Sequence, residues 1–108
     1  MKSEKDAVPM VCVLNGLTAE QRKRQASLKK QMQESAREVS ELADGYAFRF
    51  PGDQSHIMML AEFMSLERLC CPFFNFELEI AAGKDAIWLR MTGREGVKEF
   101  LKAELDLK

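Results

Sequence analysis

Apolar and polar positions alternate most regularly between Phe74 and Thr92. Phe74, Phe76, Leu78 and Ile80 are separated by Asn75, Glu77 and Glu79, and Ile87, Leu89 and Met91 by Trp88 and Arg90. A period of two sends successive side chains to opposite faces of a strand, so both runs predict half-buried strands. Gly83-Lys84-Asp85 between them is a turn signal, and together they predict a hairpin. Glu77 or Glu79 would face Arg90 on its outer side. Tyr46, Phe48 and Phe50 alternate with Ala47 and Arg49 and predict another strand, stopped by Pro51-Gly52. Met10-Val11-Cys12-Val13-Leu14 is short, apolar and rich in β-branched residues, and predicts a strand before the Asn15-Gly16 turn.

Elsewhere the period lengthens to three or four. Leu28, Met32, Ala36, Val39 and Leu42 form one narrow apolar stripe, which predicts a long helix. Thr18 and Gln21 form its capping box, and Gly45 serves as the residue that ends it in a left-handed turn. About 24 residues of helix would be roughly 36 Å long. An apolar stripe on so long a helix suits a homodimer joined through Leu28–Leu42. Asp53 predicts the N-cap of a second helix over residues 54–70, ended by Pro72. Thr92 and Glu95 form a second candidate capping box before a last helix, whose stripe is Val97, Phe100, Leu101 and Leu105. The predicted order is β-α-β-α-β-β-α. That is an α+β fold, with a mostly antiparallel sheet of three or four strands and helices packed on one face. Residues 1–9 predict a flexible tail and residues 10–108 a single domain.

Composition narrows the function classes. The 108 residues are 46% hydrophobic and 31% charged, a globular balance. Sixteen basic against 17 acidic residues give a net charge of −1, which disfavours a dedicated nucleic-acid binder. No apolar run approaches the roughly 20 residues that span a bilayer, so no membrane partner is expected. The polar start MKSEKDAVPM does not read as a secretory signal, which predicts a cytoplasmic protein. A single histidine, His56, excludes a multi-histidine metal site. Glycine-rich phosphate loops, Cys-x-x-Cys pairs and serine-hydrolase elbows are missing from the sequence, so no nucleotide or organic cofactor is indicated.

The remaining chemistry lies in Cys12, Cys70 and Cys71. An odd count of cysteines with no secretory signal reads as reduced thiols. Two adjacent thiols form a soft-ligand pair suited to copper(I), zinc, mercury(II) or arsenic(III), and Cys12 would complete a three-sulfur site if its segment lies beside them. Adjacent side chains diverge in a regular helix or strand, so convergence needs the sharp turn that Pro72 permits. The same doublet could sense redox state or simply pack the core, because free cysteine behaves as a small hydrophobe. A third alternative is a small enzyme with Cys70 or Cys71 as nucleophile, Glu67 in support, and a small apolar ligand among Phe63, Phe73 and Phe74. A helix C-terminus disfavours the thiolate this would require. Met58, Met59 and Met64 suit core filling better than copper ligation. Trp88 lies on an outer strand face.

Glu-Arg-Leu-Cys-Cys-Pro-Phe-Phe-Asn-Phe (67–76), followed by Trp-Leu-Arg-Met-Thr-Gly (88–93) and Gly-Val-Lys-Glu-Phe-Leu (96–101), resembles a group of small bacterial proteins with a Cys-Cys-Pro-Phe signature. A similar segment followed by a hairpin resembles the tail of some mercury-responsive-type transcription regulators. The resemblance covers roughly the last half of the chain and implies a thiol site at Cys70 and Cys71, of metal-sensing or detoxifying use. The sequence has no helix-turn-helix reading head.

Overall fold

The structure, a computed structural model, describes residues 10–13 and 15–107. The tail expected over residues 1–9 lies outside the described residues, as does Leu14. In chain order the elements are α1 (Ala19–Ser35), β1 (Glu38–Leu42), β2 (Gly45–Pro51), α2 (Gln54–Cys70), β3 (Asn75–Glu79), β4 (Ala86–Thr92) and α3 (Val97–Glu104). The α+β class and the antiparallel sheet are as the sequence predicts, but the first elements differ.

The long helix stops at Ser35, and residues 38–42 form a strand. Leu28, Met32 and Ala36 do keep the helical step, but the three-residue spacing of Val39 and Leu42 is coincidental. The aromatic strand β2 has two edges. One pairs with β4, and the other takes β1, in register from Glu38 opposite Arg49 to Leu42 opposite Gly45. The Arg37 N–H already donates to the Arg49 carbonyl (2.7 Å), so the strand ladder captures the backbone just past the helix end. The motive for a helix-mediated dimer goes with it, because Leu28 and Met32 are buried in the chain's own core. Gly45 is no helix terminator. It pairs with Thr92, and a Cβ there would run into the Met91 carbonyl.

Two other expectations are corrected. Residues 10–13 make no strand, and Val11 and Val13 are exposed. A short apolar run without a period does not define a buried face. Thr92 does not cap α3. It is held in the sheet by Asn75 and Gly45, and the cap position falls to Gly96 in a left-handed conformation. The Thr18–Gln21 capping box and the Asp53 cap form as expected.

The sheet order is β1-β2-β4-β3, all antiparallel. One face presents Tyr46, Phe48 and Phe50 beside Ile87, Leu89 and Met91, all buried. Leu60, Phe63 and Leu66 of α2, Leu28 and Met32 of α1, and Val97 and Leu101 of α3 close over it. Each such side chain contributes about 1.5–3 kcal/mol on burial, against about 0–1 kcal/mol for an exposed ion pair. The apolar layer therefore holds the helices on, while pairs such as Arg24–Glu62 (2.8 Å) and Lys98–Glu41 (2.5 Å) orient them. On the outer face Trp88 lies opposite Arg49, and Arg90 pairs with the diagonal Glu79 (2.5 Å) rather than with Glu77 directly across.

The topology sets up the site. β2 and β4 run in opposite directions, so α2 and α3 start from opposite ends of the sheet. α2 then returns to the end where β3 begins, since Asn75 pairs with Thr92. The C-terminal end of α2 therefore lies at the end of the sheet from which α3 starts.

Gly45 distinguishes sheet packing from a helix end. A left-handed helix terminator accepts asparagine, whereas a backbone collision admits no Cβ. Gly45→Asn and Gly45→Ala should lower the thermal midpoint alike, by about 5 °C or more. A tolerated asparagine in a thermal melt would contradict the observed pairing.

Candidate metal centre

α2 ends where Pro72 makes continuation impossible. Cys70 is its last helical residue, and Cys71 takes a non-helical conformation (φ −128°, ψ 77°) with its N–H on the Glu67 carbonyl (2.7 Å). That change of backbone direction undoes the usual divergence of neighbouring side chains. The two sulfurs lie 3.6 Å apart.

The third thiol arrives from the start of the chain. The Val13 N–H donates to the Cys70 carbonyl (2.7 Å), and the Gly16 N–H to the Val13 carbonyl (3.0 Å). Gly16 lies so close to α2 that a Cβ would run into the Leu69 carbonyl. Leu17, buried beyond it, anchors the segment in the core. Cys12 Sγ thereby comes to 3.0 Å from Cys71 Sγ, and all three sulfurs lie within 4.8 Å of one another. Three sulfurs bound at about 2.3 Å to one trigonal ion would stand about 4.0 Å apart. To hold such an ion the Cys12–Cys71 contact of 3.0 Å would have to open by about 1 Å and the Cys70–Cys71 contact of 3.6 Å by about 0.4 Å. Exposure is graded across it: Cys12 is exposed, Cys70 half-buried and Cys71 buried.

The electrostatics favour protonation of Cys71 and Cys12. Burial, most of all, pushes the Cys71 thiol far above its ordinary range; its hydrogen bond to Cys12 and the carboxylates of Glu104 and Glu67 push the same way. Burial also raises Cys12, although the Cys71 hydrogen bond pulls it back. A buried, strongly protonated thiol is a poor nucleophile. A metal ion is less hindered, because the cation itself drives deprotonation.

Glu67 is not the surface charge that a lone glutamate near a helix end usually is. It is fully buried and accepts one hydrogen bond, from Gln25 Nε2 to Oε1 (3.1 Å). Glu104 of α3 faces it. Glu67, Glu104 and Cys71 place one donor atom each within 4.8 Å of one another. Glu67 Oε2 and Glu104 Oε1 are buried without a hydrogen-bond partner among the described residues. Two facing carboxylates have only acceptors, so neither can satisfy the other while both are ionised. Burial first, then Glu104, push Glu67 up to about 8, against weaker opposition from Gln25 and Lys29.

Sequence reasoning found Cys12, Cys70, Cys71 and Glu67 but missed Glu104 and Gln25. Both were legible by the helical step. Glu104 is three residues after Leu101 and four after Phe100, on the buried face of α3. Gln25 is three before Leu28. The expected aromatic pocket is largely core packing: Phe63, Phe73 and Phe74 are buried, the last two pack edge to face with each other and with Phe100, and Phe74 also lines a cavity with Met64, Pro72 and Phe76. A cavity of about 340 Å³ lies elsewhere, with Met32, Ala36, Val39, Phe48 and Leu107 in its lining beside the polar Gln33 and Asp106. Met59 and Met64 pack against the core and Met58 is exposed. His56 belongs to the Asp53 cap, at the opposite end of α2 from the thiols.

Comparisons with protein-family models, with curated proteins and with solved structures find no significant match. No helix among the described residues is long and apolar enough to cross a membrane.

Two outcomes follow from this geometry. Gly16→Ala should push the Cys12 segment off α2. Thiol-reactive labelling should then reach Cys70 faster, with the sheet signal in circular dichroism unchanged; labelling as slow as in the native protein would contradict the contact. For Glu67, the folded value of about 8 exceeds the ordinary 4.5. The folded state holds a proton that the unfolded state has lost. In chelator, stability should therefore be fullest below about 4.5 and fall as pH rises towards about 8. Urea midpoints of Glu67→Gln should be flatter over that window.

Proposed function

We propose that this protein binds a soft metal ion or metalloid through Cys12, Cys70 and Cys71. The observation that carries the proposal is the convergence of three sulfurs from segments 59 residues apart, with the outermost exposed. Core packing explains the buried Cys71 but gives no role to an exposed Cys12 held against it. Sulfur donors favour mercury(II), arsenic(III) or copper(I). Binding releases the thiol protons to solvent, and Cys12 and Cys70 are the accessible points of entry. The resemblance of residues 67–76 to Cys-Cys-Pro-Phe proteins is consistent with a thiol site.

The 3.0 Å approach of Cys12 to Cys71 favours a second reading, thiol redox sensing. Hydrogen peroxide would take two electrons and two protons from this pair, forming one disulfide and two waters.

Reduced, anaerobic protein titrated with mercury(II) or arsenic(III) should develop thiolate-to-metal absorption that ends at one equivalent. Loss of groups behind a metal ligand typically costs 10–100-fold in affinity, so Cys12→Ser, Cys70→Ser and Cys71→Ser should each cost about 100-fold or more. Unchanged affinity in all three overturns metal binding. A disulfide formed quantitatively by peroxide in protein that binds no metal would leave the redox reading.

A further inference from the structure

Cys71 belongs to two clusters. With Cys12 and Cys70 its sulfur forms one group of candidate ligands, and with Glu67 and Glu104 it forms another. We propose that the second group is a cation site of its own, formed by Cys71 Sγ, Glu67 Oε2 and Glu104 Oε1, which takes a borderline divalent ion such as zinc(II). Cys71 then bridges it to the soft ion of the thiol site. The two proposals share only Cys71.

Three observations support the second position. Glu67 is fully buried, and its Oε2 has no hydrogen-bond partner among the described residues. The facing oxygen of Glu104 is buried and unpartnered too, although it comes from a different helix. Helix-stripe packing alone would put apolar residues at both positions, since replacing a buried charged pair by hydrophobic residues is often neutral or stabilising. The donor set is mixed. One thiolate and two carboxylates suit zinc(II), with bonds of about 2.3 Å to sulfur and about 2.0–2.2 Å to oxygen, whereas mercury(II) and copper(I) prefer the all-sulfur side.

Gln25 holds the other oxygen of Glu67 and so leaves Oε2 free for the ion.

The test loads the reduced full chain with one equivalent of mercury(II), then titrates zinc(II) by calorimetry, with cobalt(II) as a coloured substitute. One further equivalent should bind. Glu104→Gln and Glu67→Gln should each weaken it about 100-fold while leaving the mercury(II) equivalent unchanged. X-ray absorption at the zinc edge of the native protein should show sulfur and oxygen donors together, a readout that does not depend on how either variant folds. No second equivalent, an all-sulfur zinc shell, or zinc affinity unchanged in both variants overturns the site. Zinc bound with this sensitivity in protein that takes no mercury(II) would overturn the thiol triad and leave the second site standing.

Discussion

A helix that must stop at Pro72 leaves its last carbonyl groups without donors from its own backbone. How they are satisfied decides what gathers around the cysteines. Cys71 turns back to donate to the Glu67 carbonyl, and Val13 reaches in from the start of the chain to donate to that of Cys70. The first of these contacts brings the neighbouring sulfurs together. The second brings the third sulfur. Gly16 makes the second contact sterically feasible, since any side chain there would strike the end of the helix. Backbone hydrogen bonding thus assembles a side-chain cluster that none of its members could impose alone.

The other half of the site shows the cost of burial. Glu67 and Glu104 sit where the stripes of α2 and α3 meet, positions that leucine would fill without penalty. In that layer Glu104 raises the proton affinity of Glu67, and both carboxyl groups raise that of Cys71. The effect keeps the Cys71 thiol protonated and makes it a poor nucleophile. It also makes this end of the sheet a place where positive charge is stabilised, whether as a shared proton or as a cation. Gln25 holds one oxygen of Glu67 in place from α1, so all three helices contribute to the centre.

Strand periodicity carried well from sequence to structure. The alternation in Phe74–Leu78, Ile87–Met91 and Tyr46–Phe50 gave three strands and the correct buried face, whereas Ile80, which continues the first run, lies past the strand and is exposed. Asp53 and Thr18 marked two helix starts. Where a pattern was shared by two structures, the sequence could not choose. Val39 and Leu42 continue a helical stripe equally well, and only the unpaired edge of β2 explains why they join a sheet. Gly45 fits a helix end as well as a crowded strand, and only the Met91 carbonyl distinguishes the two.

Within the site, the amino-acid sequence by itself determined the chemistry available: three oxidisable thiols, a break after Cys71 imposed by proline, and carboxylates in step with apolar stripes. Helical step and proline geometry are local properties, so they can be read one segment at a time. Only the tertiary structure decided that Cys12 lies beside Cys71 and that Glu104 faces Glu67. Those pairs are far apart in the chain and carry no shared local pattern. Their proximity follows from strand order, from the direction in which α2 returns across the sheet, and from one backbone hydrogen bond at its end.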